Sequence, residues 1–223
     1  MDWLYASLLG YICGSIPTAW LICKIFYGIN IFEHGSKNMG STNVYRTVGG
    51  KAFAANLAID VLKGMVPVLV AGKLWPTHPQ VCFAAAIFAM IGHTLSFWVK
   101  FRGGKGIATG LGVFIALIGN SALLALATFM VVLFACRMVS VSSMTAAVSL
   151  PFFIWYNHEL GDYNQYILGF SIFVAIFVIY KHKSNIQRLV KGEEAKLPFF
   201  KIKSKHPAEA DSEDDENKTE EKQ

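Results

Sequence analysis

Charge is the first thing in short supply. Only 16% of the 223 residues are Asp, Glu, Lys or Arg, while 54% are hydrophobic. From Trp3 to Tyr180 long apolar runs are broken by charges only at intervals, and the remaining charges crowd into the tail. A soluble domain needs a polar surface that this distribution does not supply, so it reads as a membrane protein. Cysteine is equally sparse. Cys13, Cys23, Cys82 and Cys136 lie in apolar segments with no C-x-x-C pair and no partnering His cluster, which argues against a disulfide framework and a metal site. No metal or organic cofactor is therefore expected, and no nucleic-acid partner. The first apolar run lacks a basic region before it and carries Pro17, so it is expected to stay as a helix rather than be cleaved. The nucleotide-binding pattern G-x-x-x-x-G-K-[ST] does not match the glycine-rich loop, and no internal repeat is visible.

What is present is a series of apolar segments of membrane-spanning length. A hydrocarbon core about 30 Å thick takes about 20 helical residues, which places spans near 3–24, 53–75, 80–99 and 165–180. A further span covers roughly 142–157. The stretch 107–139 is broken by Gly119-Asn120 and reads as two short spans or a re-entrant pair. The expected fold is an all-α polytopic bundle of about seven spans, or about five plus a re-entrant hairpin. Parity is the same in both. Lys37, Arg46 and Lys51, then Lys100, Arg102 and Lys105, then Arg137, then Lys181 to Lys203 fall on one side, while the connections 75–79 and 157–164 contain no Lys or Arg. The positive-inside bias then puts the N-terminus outside and the C-terminus in the cytoplasm. Residues 1–194 form the membrane domain. Residues 195–223, ending in an acidic run free of aromatics, are expected to be a solvated tail.

Three basic-side clusters can carry chemistry. The loop before Arg46 holds Gly35, Ser36, Asn38, Gly40, Ser41, Thr42 and Asn43 with only Glu33 as an acid. Glycines let backbone N–H groups converge, hydroxyls and amides add donors, and Arg46 can grip two phosphate oxygens. The alternative is a turn-rich loop touching head groups. Arg102, Gly103, Gly104, Lys105 and Gly106 come directly before a helix, whose N-terminus favours an anion; the alternative is a basic interfacial turn. His182, Asn185 and Arg188 are spaced three apart, so successive members are neighbours on a helix. That segment presents a His and an amide to a substrate, or lies as a basic helix against head groups. Ser140, Ser142 and Ser143 border the same side, as hydroxyl donors or helix caps. Within the spans, Asn56, Asp60 and Lys63 share one stripe, and intramembrane charges need partners. An Asp60–Lys63 pair is expected, chiefly structural, and His93 is read as a buried structural histidine.

These clusters coincide with a family pattern. Through GSIPTAW, GSKNMGSTNVYR, DVLKG, GH, FRGGKGIATG and KHKSNIQRLVKGEE, covering Gly14 to Glu194, the chain resembles the PlsY family of bacterial acyl-phosphate-dependent glycerol-3-phosphate acyltransferases. The resemblance implies that Ser36 and Arg46 are needed for activity and that Gly103, Gly104, Lys105 and Gly106 shape the glycerol-3-phosphate site. It implies active-site roles for His182 and Asn185, and a supporting one for Glu194. Lys37 stands where the family usually has Gly, and Ser41 where it has Ala.

The reaction so implied is attack by the glycerol-3-phosphate 1-hydroxyl on acyl-phosphate, giving lysophosphatidic acid and inorganic phosphate at the cytoplasmic face. Both substrates carry phosphate, which accounts for cationic loops on one side, with Arg46 and Lys105 as the two grips. His182 or a substrate phosphate oxygen is the base, and Ser36 a hydrogen-bond donor rather than a nucleophile. Membrane lipids, and from the family's pathway a soluble enzyme that makes acyl-phosphate, are the expected neighbours. An H-x-x-x-x-D match, His206 to Asp211, falls in the polar tail and is read as chance. The competing class is a small phosphate or lipid transporter, which would show repeated halves and a mid-membrane site.

Overall fold

The computed structural model describes residues 1–78, 80–158 and 164–197. Among these residues it contains ten α-helices, one 3₁₀ turn at Phe97–Val99 and no strand. The helices are α1 (Asp2–Ser15), α2 (Thr18–Tyr27), α3 (Ser41–Val48), α4 (Gly50–Leu74), α5 (Gln80–Thr94), α6 (Ile107–Leu117), α7 (Gly119–Cys136), α8 (Val139–Asn157), α9 (Asn164–Lys181) and α10 (Lys183–Val190). Glu159, Asp162 and the acidic tail from residue 198, with His206 and Asp211, lie outside the described residues.

Local chemistry explains most boundaries. Ile16 precedes a proline, takes φ −55 and ψ 117, and divides α1 from α2. The two still make one apolar unit, Asp2–Tyr27, long enough to cross a bilayer. Among the described residues five such units are present, or six if α9 and α10, bent by 57° at His182, are taken together. The expected break at Gly119 is there. α6 ends at Leu117 and α7 starts at Gly119 across Ile118. With 11 residues α6 is about 16 Å long, about half a hydrocarbon core.

Small residues set the packing, as expected where lipid removes the hydrophobic drive between helices. Gly10 and Gly14 on α1 bring its backbone onto α5: a Cβ on them would stand 2.3 Å from the Ala85 carbonyl oxygen and 2.1 Å from that of Ala89. Gly64 on α4 and Gly112 on α6 make the same kind of approach, 2.1 Å from the Thr109 oxygen and 1.9 Å from the Val61 oxygen. Large apolar side chains such as Leu8, Phe26, Val131, Phe134, Trp155 and Phe173 face outward, as lipid contact requires.

One end of the bundle gathers the polar connections. Ser140 at the start of α8 and Asn185 on α10 both bond Glu194, and the Leu197 N–H donates to the Arg137 carbonyl at 2.8 Å. Lys105, just before α6, donates to Asn185. The starts of α6 and α8 and the ends of α7 and α9 therefore share a face. At the other end the Asn157 amide donates to the Ser121 hydroxyl at 3.0 Å, joining the end of α8 to the start of α7.

Candidate active site

The first loop is built around Asn43. Its buried amide donates to the carbonyls of Asn38 (3.0 Å), His34 (3.1 Å) and Ile31 (3.4 Å), and its Oδ1 accepts the Ser36 N–H at 2.9 Å. Gly35 makes this possible: at φ +55 a Cβ there would stand 2.3 Å from Asn43 Oδ1. Ile31, Met39 and Val44 anchor the loop in a small core of their own. Asn38 Oδ1 accepts the Gly40 N–H at 3.0 Å, a turn that delivers Ser41 to the start of α3. The polar groups of Asn43 and the Asn38 Oδ1 are thus spent on loop shape, while Ser36 and Arg46 remain exposed. Thr42 sits half-buried in the first turn of α3. Lys37, where glycine is usual, adopts φ 54. Left-handed backbone costs a non-glycine residue about 1–2 kcal/mol, so the loop keeps its shape at the expense of some strain.

The second loop lies flat on the end of α5. The Gly103 N–H donates to the Thr94 carbonyl at 3.0 Å and the Gly104 N–H to the His93 carbonyl at 3.2 Å. A Cβ on Gly103 would stand 2.1 Å from the His93 oxygen, and one on Gly104 would stand 2.4 Å from His93 Nε2. His93 is buried, with Nδ1 2.9 Å from the Thr109 hydroxyl of α6. It is the seat on which the glycines rest. Gly106 at φ +83 then turns the chain into α6 and leaves Lys105 at its mouth.

Lys105 meets the third cluster. Its ammonium donates to Asn185 Oδ1, whose amide in turn donates to Glu194 at 2.7 Å. Glu194 also accepts from the Ser140 hydroxyl at 2.7 Å and pairs with Arg188 at 2.8 Å. Burial alone would raise the Glu194 carboxyl, but the bonds from Asn185, Ser140 and Arg188 outweigh it and hold it below its usual range. Burial lowers Lys105 to about 8; Glu194 opposes this, while Arg188, Arg46 and Lys181 add to it. Those three cations are therefore close enough to act on Lys105. His182, one residue past α9, donates from Nδ1 to the Val178 carbonyl at 2.8 Å, leaving Nε2 as an acceptor. Burial and then the Lys105 charge push the ring down to about 4, against the raising effects of Val178 and Glu194. It is neutral at physiological pH.

The inner stripe forms as expected. Asp60 and Lys63 pair at 2.6 Å, Lys63 also donates to the Ile16 carbonyl at 2.9 Å, and Asn56 bridges Asp60 (3.1 Å) to the Ser41 hydroxyl (2.8 Å). The pair closes the α1–α2 break and ties it to α3. Ser142 turns its hydroxyl onto the Met138 carbonyl at 3.0 Å, so among the serines of α8 it is Ser140 that reaches the polar network. Reasoning from sequence favours Ser142 over Ser140 for substrate contact and gives Arg188 a place in a series but no role. The usable signal for Arg188 was its i, i+3 relation to Asn185. Among the described residues no group of three or more His, Cys, Asp or Glu comes together to hold a metal.

An apolar groove of about 560 Å³, counting its open side, begins at Gly106 beside Lys105 and runs between α6, α7, α8 and α9 to Phe114 and Leu150. Cations at the mouth of an apolar groove suit an amphiphile with an anionic head. The sequence profile described as glycerol-3-phosphate acyltransferase matches residues 4–192.

The chain belongs to the glycerol-3-phosphate acyltransferase family.

Among its relatives, the glycerol-3-phosphate acyltransferase of Thermosynechococcus vestitus is 43% identical over 200 residues, covering 86% of this chain and 93% of that one. The glycerol-3-phosphate acyltransferase of Fusobacterium nucleatum is 41% identical over 192 residues, covering 86% and 96%. A crystal structure of PlsY, an integral membrane glycerol 3-phosphate acyltransferase, in its glycerol 3-phosphate form superposes with a TM-score of 0.81 at 31% identity, over 89% of this chain and 96% of that one. PlsY in its lysophosphatidic acid form superposes at 0.79. The chain is thus an integral membrane acyltransferase of all-helical fold, which sets the transporter alternative aside.

Proposed function

We propose that the protein transfers a fatty acyl group from acyl-phosphate to the 1-hydroxyl of sn-glycerol-3-phosphate, releasing inorganic phosphate and 1-acyl-glycerol-3-phosphate. The observation that carries this reading is the charge balance at the groove mouth. Lys105 feels Arg46, Arg188 and Lys181, with Glu194 as the single carboxylate among the charges acting on it. Glu194 is itself occupied by three donors. The remaining positive charge suits two phosphates, one on each substrate.

The parts divide as follows. Arg46 and Lys105 hold the phosphates, and charge building on the leaving phosphate as the acyl C–O bond breaks is met by the same cations. Ser36 offers a hydroxyl and Asn185 an amide oriented by Glu194. The acyl chain lies in the groove, which brings its carbonyl to the level of Lys105 and His182. The attacking hydroxyl donates its hydrogen bond to His182 Nε2. A ring near 4 is a weaker base than a phosphate, whose second ionisation lies near about 6, so the proton finishes on the phosphate. Gly35, Asn38, Gly40, Thr42 and Asn43 fix the first loop, Gly103, Gly104 and Gly106 the second, and Ser142 the start of α8. Asp60, Lys63, His93 and Glu194 support them.

The site face is cytoplasmic and the N-terminus outside, because Arg46, Lys105, Arg137, Lys181 and Arg188 all lie at the gathered end of the bundle. The protein is placed in the bacterial inner membrane, with residues 1–194 as its catalytic domain and the acidic tail beyond it. A soluble enzyme that produces acyl-phosphate supplies the donor from that side. The test is phosphate release by the purified protein with palmitoyl-phosphate, measured with and without glycerol-3-phosphate. Release that needs the acceptor, and that falls at least about 100-fold in both Arg46→Ala and Lys105→Ala, fits loss of a charged hydrogen bond in each. Full activity in either variant would remove that residue from the site.

A further inference from the structure

The helix that carries Arg46 is folded back along α4. α3 and α4 meet at Gly49, whose φ of +94 and ψ of −175 turn the chain between Val48 and Gly50. Four residues to either side of that corner, Tyr45 and Phe53 meet edge to face with ring centroids 5.8 Å apart. Farther out, at the start of α3, the Ser41 hydroxyl accepts the Asn56 amide at 2.8 Å. Arg46 lies between the corner and this clasp.

Most of what holds α3 is apolar and has no direction. Val44 and Val48 pack with Ala52 of α4 in the small core of the first loop. Such contact keeps a helix down but lets it slide and roll. The clasp is directional, and its far side is anchored: Asn56 is fully buried, and its amide also donates at 3.1 Å to Asp60, the partner of Lys63. Asn56 Oδ1 has no hydrogen-bond partner among the described residues. A leucine of similar size would fill the place at less cost, since a buried polar atom left unpaired loses its hydration without a return. The amide is therefore kept for what it holds. α4 carries the second grip as well. Gly64, eight positions and about 12 Å along from Asn56, lies against Thr109 of α6, the helix that begins just after Lys105.

We propose that Asn56 is a positioning residue, setting Arg46 against Lys105 through its bond to Ser41. This rests on the reading of Arg46 as a phosphate grip. A roll of α3 that leaves the helix packed still carries the guanidinium, at the end of its long side chain, off the two oxygens it must meet together. Ser41 stands where the family usually has Ala, so the clasp is a device of this chain.

The experiment measures the Kd of glycerol-3-phosphate by calorimetry on the full chain in lipid nanodiscs, which needs no acyl donor. Ser41→Ala removes the clasp and leaves the Asn56–Asp60 bond. It is expected to weaken binding about fivefold, the usual effect of one hydrogen bond, while Ser41→Thr keeps the hydroxyl and binds as the parent does. In the Arg46→Ala background Ser41→Ala adds nothing, because the residue through which it acts is gone. Asn157→Ala, which breaks a bond at the other end of the bundle, lowers the unfolding temperature and leaves Kd as it was. An unchanged Kd in Ser41→Ala overturns the proposal, as does an equal loss in Ser41→Thr or Asn157→Ala, or a further fivefold loss on top of Arg46→Ala. If Arg46→Ala itself binds as the parent does, the grip reading has failed and the proposal falls with it; if Arg46→Ala binds weakly and Ser41→Ala does not, the clasp alone has failed.

Discussion

Lys105 is held at the limit of its charge. Half-buried at the groove mouth, with Arg188, Arg46 and Lys181 acting on it, it titrates near 8 instead of above 10, and Glu194 is the one charge that favours its proton. In the proposed site the ammonium that grips phosphate is present below about pH 8 and lost above it. The expected outcome is a kcat/KM for glycerol-3-phosphate that falls as pH rises through about 8. Glu194→Gln removes the charge that raises the Lys105 pKa, so the same fall is expected at lower pH; a fall at an unchanged pH would mean another group controls it. Much of this was open to inspection in the sequence: Arg46, Lys105, His182 and Asn185 were visible as donors on one side of a membrane. What was not visible was who partners whom. Lys105 and Asn185 are 80 positions apart, and only the folded bundle shows that one bonds the other and that Glu194 orients the amide. Asn43 shows the converse, since donor-rich loops look alike whether their amides face a ligand or, as here, their own carbonyls.

At the scale of elements, glycine decides how closely helices carry the site. Gly64 and Gly112 let α4 and α6 touch backbone to backbone, and α6 begins at the turn that presents Lys105. Gly64→Ala must push α6 away from α4. Overpacking of this kind costs about 1–3 kcal/mol, so a lowered thermal unfolding midpoint in detergent is expected together with a raised KM for glycerol-3-phosphate. A variant that unfolds earlier but keeps its KM would show that α6 does not position the site. Apolar periodicity could locate α4, α5, α8 and α9 to within a few residues, because span length is set by the bilayer. It could not divide α1 from α2 at Ile16, since a proline in an apolar run is read equally well as a kink. Nor could it foresee that α6 would be so much shorter than α7, a consequence of Gly119 and the Ile118 turn.

For the whole molecule the governing feature is polarity between its two ends. One end gathers three loops, Arg46, Arg137, Arg188, Lys105 and α10; the other joins α7 to α8 through Asn157 and Ser121. From the gathered end a groove descends into apolar side chains, the arrangement on which the proposed recognition of a charged head and a lipid tail rests. Basic residues in the sequence predicted that face, because the positive-inside bias acts on loops whatever the helices do between them. The groove was beyond reach, because its apolar lining, drawn from four separate helices, has in sequence the pattern of any packed span. The donor is the point on which the account rests. Lysophosphatidic acid formation should be measured with glycerol-3-phosphate and either palmitoyl-phosphate or palmitoyl-CoA as the only donor. Product from palmitoyl-phosphate with one inorganic phosphate released per acyl group transferred, and none from palmitoyl-CoA, is predicted; product from palmitoyl-CoA alone would contradict it.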